Sequence, residues 1–191
     1  MRKLIESTIV SLDGVVESPD RWAPFDQEAV EYAMNELEKY DAFVMGRVTY
    51  ERLRTLWEPV SGSPYIDAIN RMPKHVATRS QAPLGWNAMP LGEDSIAELG
   101  RLKAQSGGDL IKYGTSRLDA DLLRAGLVDE IRLWVMPVVA GAGERIFGHI
   151  DPGAVRLELT DVHRFANGSV ILTYSPLEPA SDEHARSESR A

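Results

Sequence analysis

The sequence predicts an α/β domain with a mostly parallel mixed sheet and a C-terminal antiparallel hairpin. First, β-branched and apolar runs alternate with segments of helical spacing over most of the chain, as in parallel βα units. Second, Asn167-Gly168 separates two apolar runs near the end of the chain, which is a hairpin signal. Third, 43% of the 191 residues are hydrophobic and 26% are charged, the usage of a globular domain with a real core.

The first part of the chain has the order β-α-β-α. Residues 3–12 are rich in β-branched types and end at Asp13-Gly14, which predicts a strand and a turn. Apolar residues at helical spacing then predict an amphipathic helix: Ala29, Val30, Ala33, Met34, Leu37 and Tyr40. A second strand is expected over 41–46. The helix expected over 48–57 has an inward face of Val48, Leu53, Leu56 and Trp57.

The middle of the chain continues the alternation. Residues 73–78 predict a strand, and 87–91 predict a short one. Ser95 and Glu98 have the spacing of a capping box, so a helix is expected from Ser95 to about Gln105.

The last part contains the central strand and the hairpin. A strand over 109–113 leads through Gly114-Thr115-Ser116 into a helix that Gly126 ends. Residues 131–139 are apolar on both faces apart from one arginine, as expected of a central strand. Strands over 155–165 and 169–175 are expected to form the hairpin, with a type I′ turn at Asn167-Gly168.

Composition bounds the domain organisation and the class of function. One domain over residues 1–176 is expected, with a disordered tail over 177–191 that has almost no apolar residue. A formal net charge of −8 disfavours a general nucleic-acid binder, because phosphate contacts need a basic face. Without a long apolar run or a signal-like N-terminus, no membrane insertion and a cytoplasmic location are expected. The absence of cysteine excludes disulfides and zinc-thiolate sites.

Two junctions between a strand and the following turn carry residues suited to a ligand. In parallel sheets ligands bind beyond the carboxyl ends of the strands. Asp13 offers a carboxylate and Gly14 allows close backbone approach, although Asp-Gly is also a plain turn whose carboxylate caps local amides. Gly46, Arg47 and Thr49 combine free helix amides with a guanidinium for an anion. Equally, Arg47 could pair with a surface carboxylate and Thr49 could be a simple cap.

Two further junctions suit phosphate groups. Thr78 and Arg79 follow a strand with a hydroxyl and a guanidinium, although Thr-Arg-Ser is also ordinary loop chemistry. Gly114-Thr115-Ser116 places a glycine before the amide-rich start of a helix, which suits a diphosphate. No G-x-G-x-x-G follows a strand and no P-loop pattern is present, so another dinucleotide geometry is required. The four histidines lack metal-site spacing, and no metal site is expected.

Together these junctions resemble the dihydrofolate reductase superfamily, and more closely the stand-alone C-terminal reductase domain of the bifunctional riboflavin-biosynthesis deaminase/reductase. The resemblance covers about residues 2–176. Its most specific parts are Ser11-Leu12-Asp13-Gly14, Gly46-Arg47-Val48-Thr49-Tyr50-Glu51 and the run from Gly126 to Phe147. The resemblance implies a three-layer α/β/α dihydrofolate-reductase-like fold that binds NADPH in an extended form.

The resemblance also implies where the cofactor lies. The turns containing Gly46, Arg47 and Thr49 and Gly114-Thr115-Ser116 would approach the diphosphate. The residues Thr78 and Arg79 would approach the adenosine ribose and its 2′-phosphate. The nicotinamide would lie near Asp13-Gly14 and near Gly141 and Gly143.

The expected activity is hydride transfer from NADPH to a small heterocyclic substrate of pteridine or pyrimidine type. Asp13 is the candidate catalytic residue, expected to line the substrate pocket. Asp26 and Glu28 lie near the position of the pterin-protonating carboxylate of folate enzymes, but neither matches it. A nucleotide-binding module without turnover, acting through partner contacts, is the alternative. The riboflavin-like relatives are commonly dimers, and the last strands offer much apolar surface, so a homodimer is expected.

Overall fold

The computed structural model describes residues 1–80, 82–150 and 155–177. The strands are β1 (Leu4–Ser11), β2 (Tyr40–Gly46), β3 (Lys74–Ala77), β4 (Ala88–Pro90), β5 (Asp109–Tyr113), β6 (Glu130–Met136), β7 (Leu157–Arg164) and β8 (Val170–Pro176). The helices are α1 (Gln27–Leu37), α2 (Arg47–Trp57), α3 (Pro64–Arg71), α4 (Ser95–Ala104) and α5 (Arg117–Arg124). A single turn of 3-10 helix spans Pro19–Arg21.

One sheet contains all of these strands, in the order β4-β3-β2-β5-β1-β6-β8-β7. Neighbours from β4 to β6 are parallel, whereas β8 is antiparallel to both β6 and β7. The predicted mostly parallel sheet with a C-terminal antiparallel hairpin is therefore confirmed.

Helices cover both faces of the sheet. One apolar cluster joins Ile5, Phe43 and Ile111 of the strands to Leu37, Tyr50 and Ile69 of α1, α2 and α3. The other joins Leu4, Val44 and Leu110 to Leu99 and Leu102 of α4 and Leu122 of α5. Since successive strand residues point to opposite faces, continuously apolar strands serve both layers. The α/β/α fold follows from this packing.

The hairpin turn is not of the predicted type. Asn167 is not among the non-glycine residues with positive φ, which a type I′ turn requires at both central positions. Instead, Gly168 N donates to Phe165 O at 3.1 Å and Phe165 N to Ser169 O at 3.0 Å. Gly168 has a φ of +85°. This is the longer loop in which a type I turn is followed by a left-handed glycine.

Two helical expectations are also corrected, and one helix was missed. Val48 and Leu56 were expected on the inward face of α2 but are 81% and 43% exposed, whereas Tyr50 is buried in the apolar cluster beneath the helix. Helix α4 is capped by Asp94, whose Oδ1 accepts from Ala97 N at 3.0 Å, so Ser95 is its first residue. Helix α3 was not predicted, although a proline in its first turn after Ser63 is a helix-start signal.

The end of the described chain extends the hairpin by one contact. Leu177 N donates to Arg156 O at 2.8 Å. The rest of the tail predicted over 177–191 lies outside the described residues. Among the residues that the structure describes, no helix combines the length and the apolar character needed to cross a membrane.

Candidate functional site

The carboxyl ends of five adjacent parallel strands line one edge of the sheet. The strands β3, β2, β5, β1 and β6 are neighbours in that order. The predicted site residues lie at or after these ends: Thr78 and Arg79 after β3; Gly46 as the last residue of β2, with Arg47 and Thr49 after it; Gly114, Thr115 and Ser116 after β5; Asp13 and Gly14 after β1; Gly141 and Gly143 after β6. The structure thus places them along the edge at which ligands of parallel sheets bind.

The turns after β2 and β5 lie side by side. Helix α2 begins at Arg47, directly after Gly46, and α5 begins directly after Ser116. A Cβ added to Gly46 would lie 3.8 Å from Ser116 Oγ. Two helix N-termini therefore face the same space, and their free amides and dipoles favour an anion there.

Arg47 is the first residue of α2, and its guanidinium lies over the ring of Tyr50 at 5.8 Å from the ring centroid. Its Nε donates to Glu51 Oε1 at 2.6 Å, which is the surface pairing considered as an alternative role. Its Nη1 is buried and has no hydrogen-bond partner among the residues described. A buried donor without a partner is unfavourable, so the pairing with Glu51 leaves Arg47 with a donor that an anion would satisfy.

The turn after β5 has a fixed shape. Gly114 has a φ of +71°, which an L side chain rarely adopts. Ser116 N donates to Asp119 Oδ2 at 2.6 Å, which closes the start of α5. Thr115 is half-buried between them.

Asp13 fastens the end of β1 to the loop after β6. Its Oδ1 accepts from Ala140 N and its Oδ2 from Gly141 N, both at 2.9 Å. The Ser11 hydroxyl donates to Oδ1 at 2.7 Å. The Ser11 hydroxyl and the two amides hold the pKa of Asp13 well below its usual range. The carboxylate is therefore ionised near neutral pH and is not a proton donor.

Arg145 completes this contact and was not predicted from the sequence. Its Nη1 donates to Asp13 O and lies 3.5 Å from Asp13 Oδ2. Its Nη2 donates to Gly141 O at 3.2 Å. No local pattern marked this arginine, because its partner lies at the opposite end of the chain.

A cleft of about 440 Å³ is formed in part by the loop that Asp13 holds. Asp13 was expected to line the substrate pocket, but it is not among the residues that line this cleft. Glu17, Arg21 and Trp22 line one wall, and the loop over 138–143 supplies the other. Trp22 Nε1 donates to Glu17 O at 2.9 Å, which holds the first wall together. Glu17 and Arg21 carried no sequence signal.

Gly143 allows the two walls to approach each other. It has a φ of +132°, and a Cβ there would lie 2.7 Å from Val15 Cγ1 and 3.3 Å from Glu17 Cβ. Gly14 O accepts from Ile146 N at 2.9 Å, a second link between the same segments. A glycine at position 143 is thus required by both conformation and space.

The remaining candidate residues are either exposed or hydrogen-bonded to nearby backbone amides. Arg79 is exposed, and the Thr78 hydroxyl accepts from Ser80 N at 3.1 Å. Asp26 caps α1 by accepting from Ala29 N at 2.9 Å, and Glu28 accepts from Ala166 N at 3.0 Å. Both carboxylates have structural partners, and neither is identified as a proton donor. Within the described ranges no group of His, Cys, Asp and Glu side chains is placed to hold a metal ion.

The sheet order, the layers and the ligand-facing edge define a dihydrofolate-reductase-like α/β domain. Residues 2–171 match the RibD C-terminal domain family, and the chain belongs to that family. This confirms the resemblance seen in the sequence motifs.

Individual proteins are similar to the chain over nearly its whole length. The Bacillus subtilis protein YyaP is 26% identical over 184 residues, which cover 91% of this chain and 94% of YyaP. The Thermotoga maritima diaminohydroxyphosphoribosylaminopyrimidine deaminase/5-amino-6-(5-phosphoribosylamino)uracil reductase superposes with a TM-score of 0.67 at 15% identity. That match covers 92% of this chain and 57% of the Thermotoga chain. Enterococcus faecalis dihydrofolate reductase, complexed with NADP(H), superposes with a TM-score of 0.61 at 15% identity, covering 91% and 96%. At these identities the structural similarity establishes the fold.

Proposed function

We propose that the chain is an NADPH-dependent reductase that transfers hydride to a small heterocycle of pteridine or pyrimidine type. The observation that carries this proposal is the anion-binding geometry at the sheet edge. The turns at Gly46 and Ser116 adjoin there, and Arg47 Nη1 is buried without a partner in the described chain. Membership of the RibD C-terminal domain family supports the same chemistry, since the name of the Thermotoga protein includes 5-amino-6-(5-phosphoribosylamino)uracil reductase.

The residues present fit a nicotinamide dinucleotide. Arg47, Thr49 and the amides that start α2 and α5 would hold the diphosphate between the two turns. Thr78 and Arg79, at the end of the neighbouring strand β3, would contact the adenosine ribose and its 2′-phosphate. Bound NADPH supplies the hydride, and the protein's part is to bind, orient and exclude water.

The substrate is proposed to occupy the cleft formed in part by the loop that Asp13 holds. The cleft volume of about 440 Å³ lies in the usual range for small-molecule sites. Its wall combines an indole for stacking against a flat ring with the charged side chains of Glu17 and Arg21. The side chain of Asp13 is 23% exposed, and its oxygens accept hydrogen bonds from the Ser11 hydroxyl, Ala140 N and Gly141 N. In this proposal Asp13 is an ionised carboxylate that holds the loop of the cleft in place, and it does not donate a proton.

A second candidate function is a nucleotide-binding module without turnover. It is favoured by the state of the nearby carboxylates. Asp13 is ionised by its hydrogen bonds, and Asp26 and Glu28 are occupied by backbone amides. None of these three carboxylates then supplies the proton that a reductase needs.

Multiple-turnover assays with NADPH and a panel of pteridines and pyrimidines distinguish the two functions. We expect oxidation of NADPH that depends on one class of heterocycle, with reduced product exceeding the enzyme in molar amount. Tight NADPH binding without any heterocycle-dependent product would favour the binding module. Failure to bind NADPH at all would overturn both.

A further inference from the structure

Three ionisable side chains are buried together beneath the turn after β5. They are Glu6 of β1, Lys112 of β5 and Asp119 of α5, and each is 1% exposed. Glu6 and Lys112 are direct neighbours across the parallel pair of β1 and β5. Ionised groups are buried at great cost unless they are paired, so this cluster needs a specific arrangement of charge.

Lys112 and Asp119 hold both ends of the turn. Lys112 Nζ donates to Gly114 O at 2.5 Å and pairs with Asp119 Oδ1 at 2.5 Å. Asp119 Oδ2 accepts from Ser116 N at 2.6 Å. The first and last residues of Gly114-Thr115-Ser116 are thus tied through one buried ion pair.

Glu6 is the member of the cluster whose charge and hydrogen-bonding groups have no partner of their own among the described residues. Neither of its carboxylate oxygens has a hydrogen-bond partner in the part of the chain described. The charged groups acting on it are Lys112 from β5 and Asp119 from α5, while its neighbour on β6 is the apolar Ile131. With both carboxylates ionised, the buried cluster would carry one net negative charge.

A proton on Glu6 removes both the excess negative charge of the cluster and the lack of a hydrogen-bond partner for its carboxyl group. It brings the net charge of the cluster to zero, and it gives Glu6 a hydrogen to donate toward Asp119. Burial, together with the charge of Asp119, raises the pKa of Glu6 to about 7 against the opposing effect of Lys112.

We propose that Lys112 is a positioning residue for the cofactor diphosphate, and that it holds the turn in its binding geometry while Glu6 is protonated. This inference rests on the proposed function, since it requires a diphosphate at Gly114-Thr115-Ser116. When Glu6 ionises, it competes with Gly114 O and Asp119 for the ammonium of Lys112. It also places a negative charge directly below the site of an anion, which opposes binding.

The first test compares the wild type with Glu6→Gln, which has the same size, cannot ionise and keeps a donor toward Asp119. The probe is NADH, whose diphosphate does not titrate near neutral pH, and the dissociation constant is measured by calorimetry. At about pH 6 the two proteins should bind equally. At about pH 9 the wild type should bind roughly tenfold more weakly than Glu6→Gln. The same pH dependence in both proteins would overturn the role of Glu6.

The second test uses Lys112→Met, with Lys103→Met as its matched control. Lys103 is also buried, at 4% exposed, and pairs with Asp129, but it lies on α4 away from the turn. Lys112→Met should lose roughly tenfold in affinity for NADH and NADPH alike, whereas Lys103→Met should keep both affinities. If both variants lost the same affinity for the cofactors, the loss would reflect general destabilisation of the fold. That result would contradict a positioning role for Lys112.

The outcomes separate this inference from the proposed function. If the wild type binds NADH and NADPH but neither Glu6→Gln nor Lys112→Met differs from it as stated, only the positioning role is overturned. If Lys112→Met does not fold, the comparison of the wild type with Glu6→Gln decides the matter. If the wild type binds neither cofactor, the proposed function and this inference both fall.

Discussion

Asp13 and Gly141, 128 residues apart in sequence, are joined by a 2.9 Å hydrogen bond from Gly141 N to Asp13 Oδ2. Together with the bond from Ala140 N, this contact fixes the loop after β6 against the end of β1. This loop is one wall of the cleft proposed for the substrate, and Glu17, Arg21 and Trp22 line the other. The Asp13 side chain therefore determines the position of this loop at the edge of the sheet.

The first prediction is that Asp13→Asn impairs turnover more than cofactor binding. An amide at this position accepts one backbone N–H but turns its own N–H₂ toward the other, so the loop over 138–143 is displaced. We expect roughly a tenfold loss of the rate of heterocycle reduction, because misplacement of a positioned substrate is costly. Steady-state kinetics measure this. Asp121→Asn, at a surface carboxylate paired with Arg124, is the control and should leave the rate unchanged.

The second prediction concerns cofactor choice. A charge-assisted contact to a 2′-phosphate is typically worth about 1.5 to 3 kcal/mol, roughly a tenfold to hundredfold preference for NADPH over NADH. Arg79→Ala should erase most of that preference and leave NADH affinity nearly unchanged. Arg47→Ala should weaken both cofactors together. Calorimetric titrations check this, with Arg124→Ala as the exposed-arginine control. Equal losses of NADPH and NADH affinity in Arg79→Ala would remove Arg79 from the 2′-phosphate site.

The third prediction is a pH dependence of stability caused by Glu6. Its pKa is raised from an ordinary value of 4.5 to about 7 in the folded protein, so the native state keeps a proton that the unfolded chain has released. The resulting stabilisation is complete below about pH 4.5 and is lost as the pH rises through about 7. The loss amounts to about 3 kcal/mol. Urea unfolding of the wild type and of Glu6→Gln over this range measures the difference, and parallel stability curves would disprove it.

The fourth prediction compares two glycines of the same loop. Gly143→Ala places a Cβ 2.7 Å from Val15 Cγ1 at a φ of +132°, so both strain and overlap oppose it. Gly141→Ala has a φ of +82° and no atom within 4 Å of the new Cβ, so only strain remains. We expect losses of about 3 kcal/mol and about 1 kcal/mol, respectively. Denaturant unfolding tests the order, and equal losses would show that the loop relaxes around Val15.

The fifth prediction is a homodimer. Leu159 and Val162 of β7 are 50% and 48% exposed, so apolar side chains of the hairpin remain accessible in the single chain. Apolar strand surface of this kind favours association. Sedimentation velocity at micromolar concentration should give the mass of two chains. A monomer under these conditions would contradict the prediction.

The sequence by itself determined the order of most elements and the residues of the site edge. Asp13-Gly14 and Gly46-Arg47 could be located because each stands where an apolar run stops at a glycine, which is a local signal. The alternation of strands with helices makes the sheet parallel, and a parallel sheet gathers its carboxyl ends on one edge. The helix at Pro64–Arg71 was missed although its first turn carries a local proline signal. The turn at Asn167 was misassigned because the register of the hairpin decides its type.

Only the tertiary structure decided which distant residues meet. Glu6 and Lys112 are polar residues of two strands in the sequence, but the order β5-β1-β6 makes them neighbours and α5 buries them with Asp119. In the same way the chain returns through β6 to bring Arg145 onto Asp13. Periodicity and motif spacing report on neighbours along the chain, whereas the protonation of a buried carboxylate depends on charges brought near it by folding.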